Sequence, residues 1–291
     1  NKIVSSNYMI KSKKNVAHHY DLSDKLYDLF LDKDRQYSCA YFNSPNDTLE
    51  QAQQNKLELI AKKLLLEKDQ NVLDIGSGWG GMAAYLSKRS NVNVKGVTLS
   101  EEQIAYSKQR KINESLDQVQ YELQDYRKVR EKYDRIVSVG MFEHVGTAHY
   151  QEFFNKVYDL LNQKGVALIH TIGRIDGPTT NDPWIEKYIF PGGYIPALSE
   201  VMKRVEKSGL TTTDVQILKF HYAETLKRWR YNFYDNLDKI KELYDEKFCR
   251  MWDFYLSSSQ ASFEESSLVI FQLQLSKDKK TVPDHRDYLF T

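Results

Sequence analysis

LDIGSGWGG, residues 73–81, runs from a short apolar stretch straight into a glycine-rich turn and on into residues of helical character. Glycine lacks a Cβ, so at such a turn the backbone approaches a ligand closely, and the helix that follows brings its N-terminal N–H groups to the same place. Outward from this turn the chain repeats one pattern. NVLDI (71–75), VKGVTL (94–99), VQYEL (119–123), YDRIVSV (133–139) and GVALIHTI (165–172) are short runs rich in β-branched residues, separated by longer segments with helical periodicity. Strand and helix in alternation predict an α/β protein built on a doubly wound parallel sheet. Upstream, apolar residues recur at helical spacing over 18–30 and 49–66, which predicts two helices before the sheet, with QYSCAYF (36–42) between them. Downstream the alternation stops. Residues 173–196 are dense in proline, glycine and aromatics and read as an inserted lid. A helix-rich stretch with HYAETLKRWRYNFYDNL follows, and LVIFQLQLS (268–276) reads as a late strand at a sheet edge.

The 291 residues, 41% hydrophobic, suffice for one large core with an inserted cap. Residues 1–17 are polar and lysine-rich without periodicity and read as an arm, leaving 18–291 as the folded unit. Within that unit, 174–265 is expected to hold the lid and a helical insertion. With 41 basic against 40 acidic residues there is no overall electrostatic footprint for nucleic acid, and any membrane contact must be local. Cys39 and Cys249 stand outside any CxxC pattern, which excludes a disulfide framework or a cysteine-built metal site and fits a reducing cytoplasm. No apolar run approaches the roughly 20 residues of a spanning helix, and the N-terminal residues lack the apolar core of a signal peptide. HExxH, a nucleophile elbow and a phosphate loop are absent from the sequence.

A glycine turn alone serves several ligands, a dinucleotide among them. A nicotinamide site calls for Asp or Glu about 20 residues on, whereas GVTLSEEQ (96–103) ends its strand in Thr98, Leu99 and Ser100. The acidic residue lies instead inside the first strand, at Asp74, the arrangement of the S-adenosylmethionine fold, where it orders the glycine loop. On that reading Gly76, Ser77, Gly78, Trp79 and Gly80 pass close to the methionine portion. Thr98 and Gln103 reach the ribose with Leu99 and Ser100 beside them, and Asp125 with Tyr126 borders adenine. Asp125 alone reads equally well as a solvated loop carboxylate.

QYSCAYF, LDIGSGWGG, GVTLSEEQ, QDYR (124–127), DRIVSVGMFEHVG (134–146), HTIG (170–173) and DPWIEKYIFPGGYIP (182–196) together resemble one family. It is that of the cyclopropane-fatty-acyl-phospholipid synthases and the related mycolic acid cyclopropane synthases. The resemblance runs from about Asn15 to the last strand, and VGMFEHVG (139–146) is more specific than any glycine loop. It implies a Rossmann-like, S-adenosylmethionine-dependent methyltransferase fold with helical N-terminal additions and a lid. Relatives often carry a further N-terminal domain, and this chain, which begins at Asn1, resembles their catalytic domain. The implied activity moves a methylene group from S-adenosylmethionine to the cis double bond of an unsaturated phospholipid acyl chain. The enzyme would be cytoplasmic, touch the inner face of the membrane peripherally, and be compatible with a homodimer.

The resemblance also implies a bound bicarbonate acting as base, held by Cys39, Glu143, His170, the backbone of Ile172, and Tyr222, with Tyr37 and Ser38 touching the cofactor. Two residues depart from the family pattern: Ser77 and Ser259 stand where relatives often have Cys. Neither is expected to abolish activity, since no covalent enzyme intermediate is needed. Each residue has a plainer reading alone: Glu143 as a helix cap, His170 as a satisfied core histidine, Cys39 as a small buried hydrophobe, Tyr222 as a packing aromatic. Trp184, Tyr188, Phe190 and Tyr194 read either as the lining of an acyl tunnel or as core. Lys11, Lys13 and Lys14, and separately Lys227, Arg228 and Arg230, read either as contacts to anionic headgroups or as a solvated face. The alternatives in function are a methyl-branching lipid methyltransferase, a small-molecule N-methyltransferase, and a lipid-binding protein without turnover.

Overall fold

The computed structural model describes residues 22–290. The arm over 1–17, with Lys11, Lys13 and Lys14, and the first residues of the helix expected from 18 lie outside the described residues. Seven strands form one sheet: β1 (Asn71–Ile75), β2 (Asn93–Thr98), β3 (Val119–Leu123), β4 (Tyr133–Val139), β5 (Leu161–Arg174), β6 (Thr211–Leu218) and β7 (Leu268–Ser276). Their order is β3-β2-β1-β4-β5-β7-β6. The first five are mutually parallel, and β7 runs antiparallel to both β5 and β6. Helices cover both faces, which explains why Val72–Ile75 and Val166–Ile169 are buried without alternation. The strand order reverses between β1 and β4, the place where open α/β sheets bind ligands.

One expectation about the C-terminal third is corrected and another is refined. LVIFQLQLS is not an edge strand: it lies between β5 and β6, buried from Val269 to Ser276. The edge is TTTDVQIL, 211–218, whose polar, part-exposed residues carry little strand signal. The stretch 174–265 holds the lid and the helical segment, with a helix and an edge strand of the main sheet between them. The helix Leu198–Ser208 within it packs Val201 and Val205 against Phe153, Phe154 and Val157, and β6 then rejoins the sheet. The added material is two pieces, the lid near 175–197 and a helical cap from His221 to Glu265.

Ten α-helices are described. Asp24–Phe30 (α1) is capped by Ser23, and Leu49–Leu64 (α2) opens with a Thr48–Gln51 capping box. Gly81–Ser90 (α3), Glu101–Asn113 (α4) and Tyr150–Leu160 (α5) fill the crossovers. Pro183–Tyr188 (α6) sits in the lid and Leu198–Ser208 (α7) precedes β6; His221–Asp235 (α8), Leu237–Leu243 (α9) and Glu246–Glu265 (α10) form the cap. Phe30, Trp229, Phe233 and Trp252 give cap and α1 a common aromatic core, joined by Trp79 of the glycine loop. That core hangs the cap over the C-terminal end of β1. Among the described residues no helix is long and apolar enough to cross a membrane.

Candidate active site

A first cavity opens at the C-terminal ends of β1, β2 and β4. The glycine loop is pinned to β2, since the N–H groups of Gly76 and Ser77 donate to Val97 O at 2.9 and 3.0 Å. Gly76 has φ +83°, and a Cβ there would lie 2.8 Å from that of Met141. Gly78, at φ +55°, would meet nothing within 4 Å. The first glycine is required by close approach, and the second leaves backbone bare to the cavity. Tyr37, Ser38, Asp74, Gly76, Ser77, Gly78, Trp79, Thr98, Leu99, Gln103, Asp125 and Tyr126 line this space. Gly80 and Ser100 do not. The Gly80 carbonyl accepts from the Tyr121 hydroxyl at 2.8 Å, and the Ser100 hydroxyl caps α4 by accepting from Gln103 N–H at 3.2 Å. Both shape the site from outside it.

Electrostatics mark the cavity as built for a polar ligand. Asp74 is 1% exposed, and its Oδ2 and the Ser77 hydroxyl have no protein partner. Burial pushes the Asp74 carboxyl up to about 7, with the Lys56 ammonium opposing the rise. Asp125 is not a solvated carboxylate: it is 7% exposed, and the Arg127 guanidinium grips its two oxygens at 2.9 and 2.6 Å. Arg35, Gln124 and Met141 also line the space, without a sign in their sequence context.

A second cavity gathers Cys39, Glu143, His170, Ile172 and Tyr222, residues from four separate parts of the chain. Glu143 sits in the 3₁₀ turn after β4, His170 and Ile172 on β5, and Tyr222 on the first turn of α8. Glu143 Oε1 accepts from Ile172 N–H at 2.6 Å, while its buried Oε2 has no partner. Burial raises this carboxyl to about 7, against the lowering pull of the Ile172 bond. Gln272 Nε2 donates to His170 Nδ1 at 3.1 Å, so the ring carries its proton on Nε2, which is buried and without a partner. Burial lowers His170 to about 3, keeping it neutral. One orphan acceptor and one orphan donor therefore belong to residues that line the same space.

Two members of the set are less free than expected. The Ile172 N–H is taken up by Glu143, because a buried carboxylate oxygen claims the nearest donor. The Cys39 thiol, 1% exposed, donates to Ala40 O at 3.2 Å, and burial pushes its pKa up. Tyr222 packs its ring on Phe263, 4.7 Å between centroids. Ser259 and the lid residues Phe190 and Tyr194 line this cavity, whereas Trp184 and Tyr188 do not. Trp184 instead packs edge-on against Phe254, and Tyr188 is 44% exposed beside Lys187. The lid is tied to the site by Tyr194 N–H, which donates to Glu143 O at 2.9 Å. Lys227 and Arg228 pair with Glu224, and Arg230 with Asp253, so these cations are engaged within the cap.

Tyr37, Ser38, Gly140 and His144 line both cavities and form the wall where they meet. Burial holds His144 at about 4, hence neutral. Gln53 on α2 steadies this wall by donating to the carbonyls of Gln36 and Ser38 at 3.1 and 3.0 Å. Gln272, which sets the His170 tautomer, has no distinguishing sequence signal beyond a polar residue in an otherwise apolar strand.

Comparison with known proteins adds a lineage to this geometry. Residues 8–273 match the mycolic acid cyclopropane synthetase family. The cyclopropane-fatty-acyl-phospholipid synthase of Escherichia coli K12 is 40% identical over 274 residues, covering 93% of this chain and 70% of that protein. A probable fatty acid methyltransferase of Pseudomonas putida is 38% identical over 266 residues, covering 89% and 68%. The crystal structure of a mycolic acid cyclopropane synthase complexed with SAH and CTAB superposes with a TM-score of 0.86 at 34% identity, covering 90% of this chain and 97% of that one. The glycine loop over a buried first-strand carboxylate and the match along nearly the whole sequence agree: the chain belongs to the mycolic acid cyclopropane synthetase family of S-adenosylmethionine-dependent methyltransferases.

Proposed function

We propose that the protein transfers a methylene group from S-adenosylmethionine to the cis double bond of an unsaturated phospholipid acyl chain, closing a cyclopropane ring. The observation that carries this reading is the contact of two cavities through one wall, the second bearing a buried carboxylate and a neutral histidine. S-adenosylmethionine, when bound, supplies an electrophilic sulfonium methyl. An alkene is a weak nucleophile, so the residues contribute chiefly by alignment and by exclusion of water. Phe190, Leu226, Phe263 and Ile270 give the second cavity the apolar surface an acyl chain needs.

Ring closure removes a proton from the transferred carbon, and bicarbonate, when bound, supplies a base that is not itself a side chain. Its hydroxyl needs an acceptor and its anionic oxygens need donors; Glu143 Oε2 and His170 Nε2–H meet both needs. Tyr222 completes the set on the cap side, with Cys39 and Ile172 N–H contributing once their present hydrogen bonds exchange. Thr98, Gln103, Asp125 and the loop from Gly76 to Trp79 would hold the nucleoside and amino-acid portions. The lipid is reached by peripheral contact at the inner face of the membrane.

Labelled S-adenosylmethionine with vesicles of unsaturated phospholipid tests the reading. The expected product is an acyl chain heavier by one CH₂ and resistant to hydrogenation at the former double bond. A methylene-branched chain has the same mass but takes up hydrogen, and a methyl-branched chain is heavier by two hydrogens. The likeness to the probable fatty acid methyltransferase of Pseudomonas putida favours these branched products as the second reading. Transfer to a soluble amine with none to phospholipid would refute both.

A further inference from the structure

Lys56 is 0% exposed, lines neither cavity, and stands directly behind the wall they share. It comes from the same face of α2 as Gln53, one turn earlier. Its ammonium donates to Gln36 Oε1 at 2.6 Å and to the Ser38 hydroxyl at 2.9 Å. The Gln36 amide in turn donates to Asp34 at 2.7 Å. Burying an ammonium is costly, and a methionine of similar length would fill this space without that cost. What a lysine adds is direction. An ammonium has three donors and no acceptor, so Ser38 must accept from it, and the one proton of Ser38 is left to point elsewhere. Ser38 faces both cavities.

We propose that Lys56 is a positioning residue for cofactor binding and methyl transfer, acting through Ser38 by fixing its hydroxyl as a donor toward the cofactor. The inference rests on the chain being a methyltransferase and is independent of which acceptor it uses. A neutral lysine could accept from Ser38, so the orientation is kept only while Lys56 is charged, and burial has lowered its pKa to about 8. The groups facing it are Asp32 from the loop after α1, Cys39 from its own segment, Asp74 from β1 and His170 from β5. Burial raises Asp74 to about 7, lowers His170 to about 3 and pushes the Cys39 thiol up, so Asp74 ionises beside Lys56 at the start of this range and its charge favours the ammonium.

Calorimetry with S-adenosylhomocysteine, which needs no acceptor, tests this on the native chain, Lys56→Met, Ser38→Ala and the double variant. Each single change is expected to weaken binding roughly 10- to 100-fold, the range of a hydrogen bond to a charged group. The double variant should bind no more weakly than Ser38→Ala, because both changes remove one interaction. Native affinity should fall as pH rises from 7 through about 8, and that fall should vanish in Lys56→Met. Should Lys56→Met not fold, Lys56→Gln removes the buried charge while keeping a donor, and it should show the same lost pH dependence. Native-like affinity in Lys56→Met, additive losses in the cycle, or an unchanged alkaline limb in either lysine variant would each overturn the proposal, whatever the effect on thermal stability.

Discussion

Replacing Glu143 by Gln should make the protein more stable and nearly inactive, and the size of the first effect can be worked out. The carboxyl moves from an ordinary 4.5 to about 7 on folding because burial penalises its charge. Between those values the folded chain binds more protons than the unfolded chain, so stability falls as pH rises and reaches its full penalty above about 7. At 1.36 kcal/mol per pH unit the penalty is about 3 kcal/mol. Glutamine has no such titration, and its Oε1 can keep the 2.6 Å bond from Ile172 N–H. In bicarbonate-free buffer, the stability of Glu143→Gln relative to the native chain should therefore grow by up to about 3 kcal/mol between pH 4.5 and pH 8. Urea unfolding at both pH values measures it, with equal slopes checking that the same surface unfolds. Affinity for S-adenosylhomocysteine should stay close to native, since Glu143 is outside the first cavity. Turnover should drop on the order of 100- to 1000-fold, typical of losing one preorganised polar group. A stability difference that is the same at both pH values would refute the reasoning about burial, and native turnover would refute the role given to the carboxylate.

Three further outcomes are expected. Gly78→Val places a β-branched side chain at φ +55° and into open cavity space; it should lower thermal stability by about 1–3 kcal/mol through backbone strain and raise KM for S-adenosylmethionine, as differential scanning and initial rates would show. Gln272→Leu removes the donor to His170 Nδ1, so ¹⁵N chemical shifts should report a mixture of ring tautomers in place of one Nε2–H form, with turnover reduced by roughly 10-fold, the size of a lost buried hydrogen bond. Cys39 and Cys249 are both buried with raised thiol pKa values; iodoacetamide at pH 8 should label neither in the native protein and both in urea, and rapid native labelling of Cys39 seen by mass spectrometry would contradict the packing around it.

The central strands were legible because burial on both faces leaves them as short apolar runs, and the glycine loop because its backbone geometry demands its residue type. The convergence of Glu143, His170 and Tyr222 was legible only through the family resemblance, since nothing in spacing brings positions so distant in sequence together. β6 escaped because an edge strand with residues such as Thr211–Thr213 and Gln216 lacks a clean alternation. In β7 the sequence misleads in the opposite way, since Gln272 and Gln274 look like solvent-facing residues. In the structure both are fully buried and spend their amides on His170 and on the Lys63 carbonyl. Lys56 shares a face with Gln53, Leu57 and Ile60 at helical spacing, so its position was readable, but a lysine there reads as the rim of a face and not as its centre. Gly80 and Ser100 show the converse, residues of the right type in the right motif that stand at the N-caps of α3 and α4.

The two cavities have different walls and share only Tyr37, Ser38, Gly140 and His144. Filling either one therefore leaves most of the other's lining uncovered, so both ligands can be held at once. Initial rates measured over a grid of both concentrations should give intersecting lines, the pattern of a ternary complex, and not the parallel lines of a group parked on the enzyme between half-reactions.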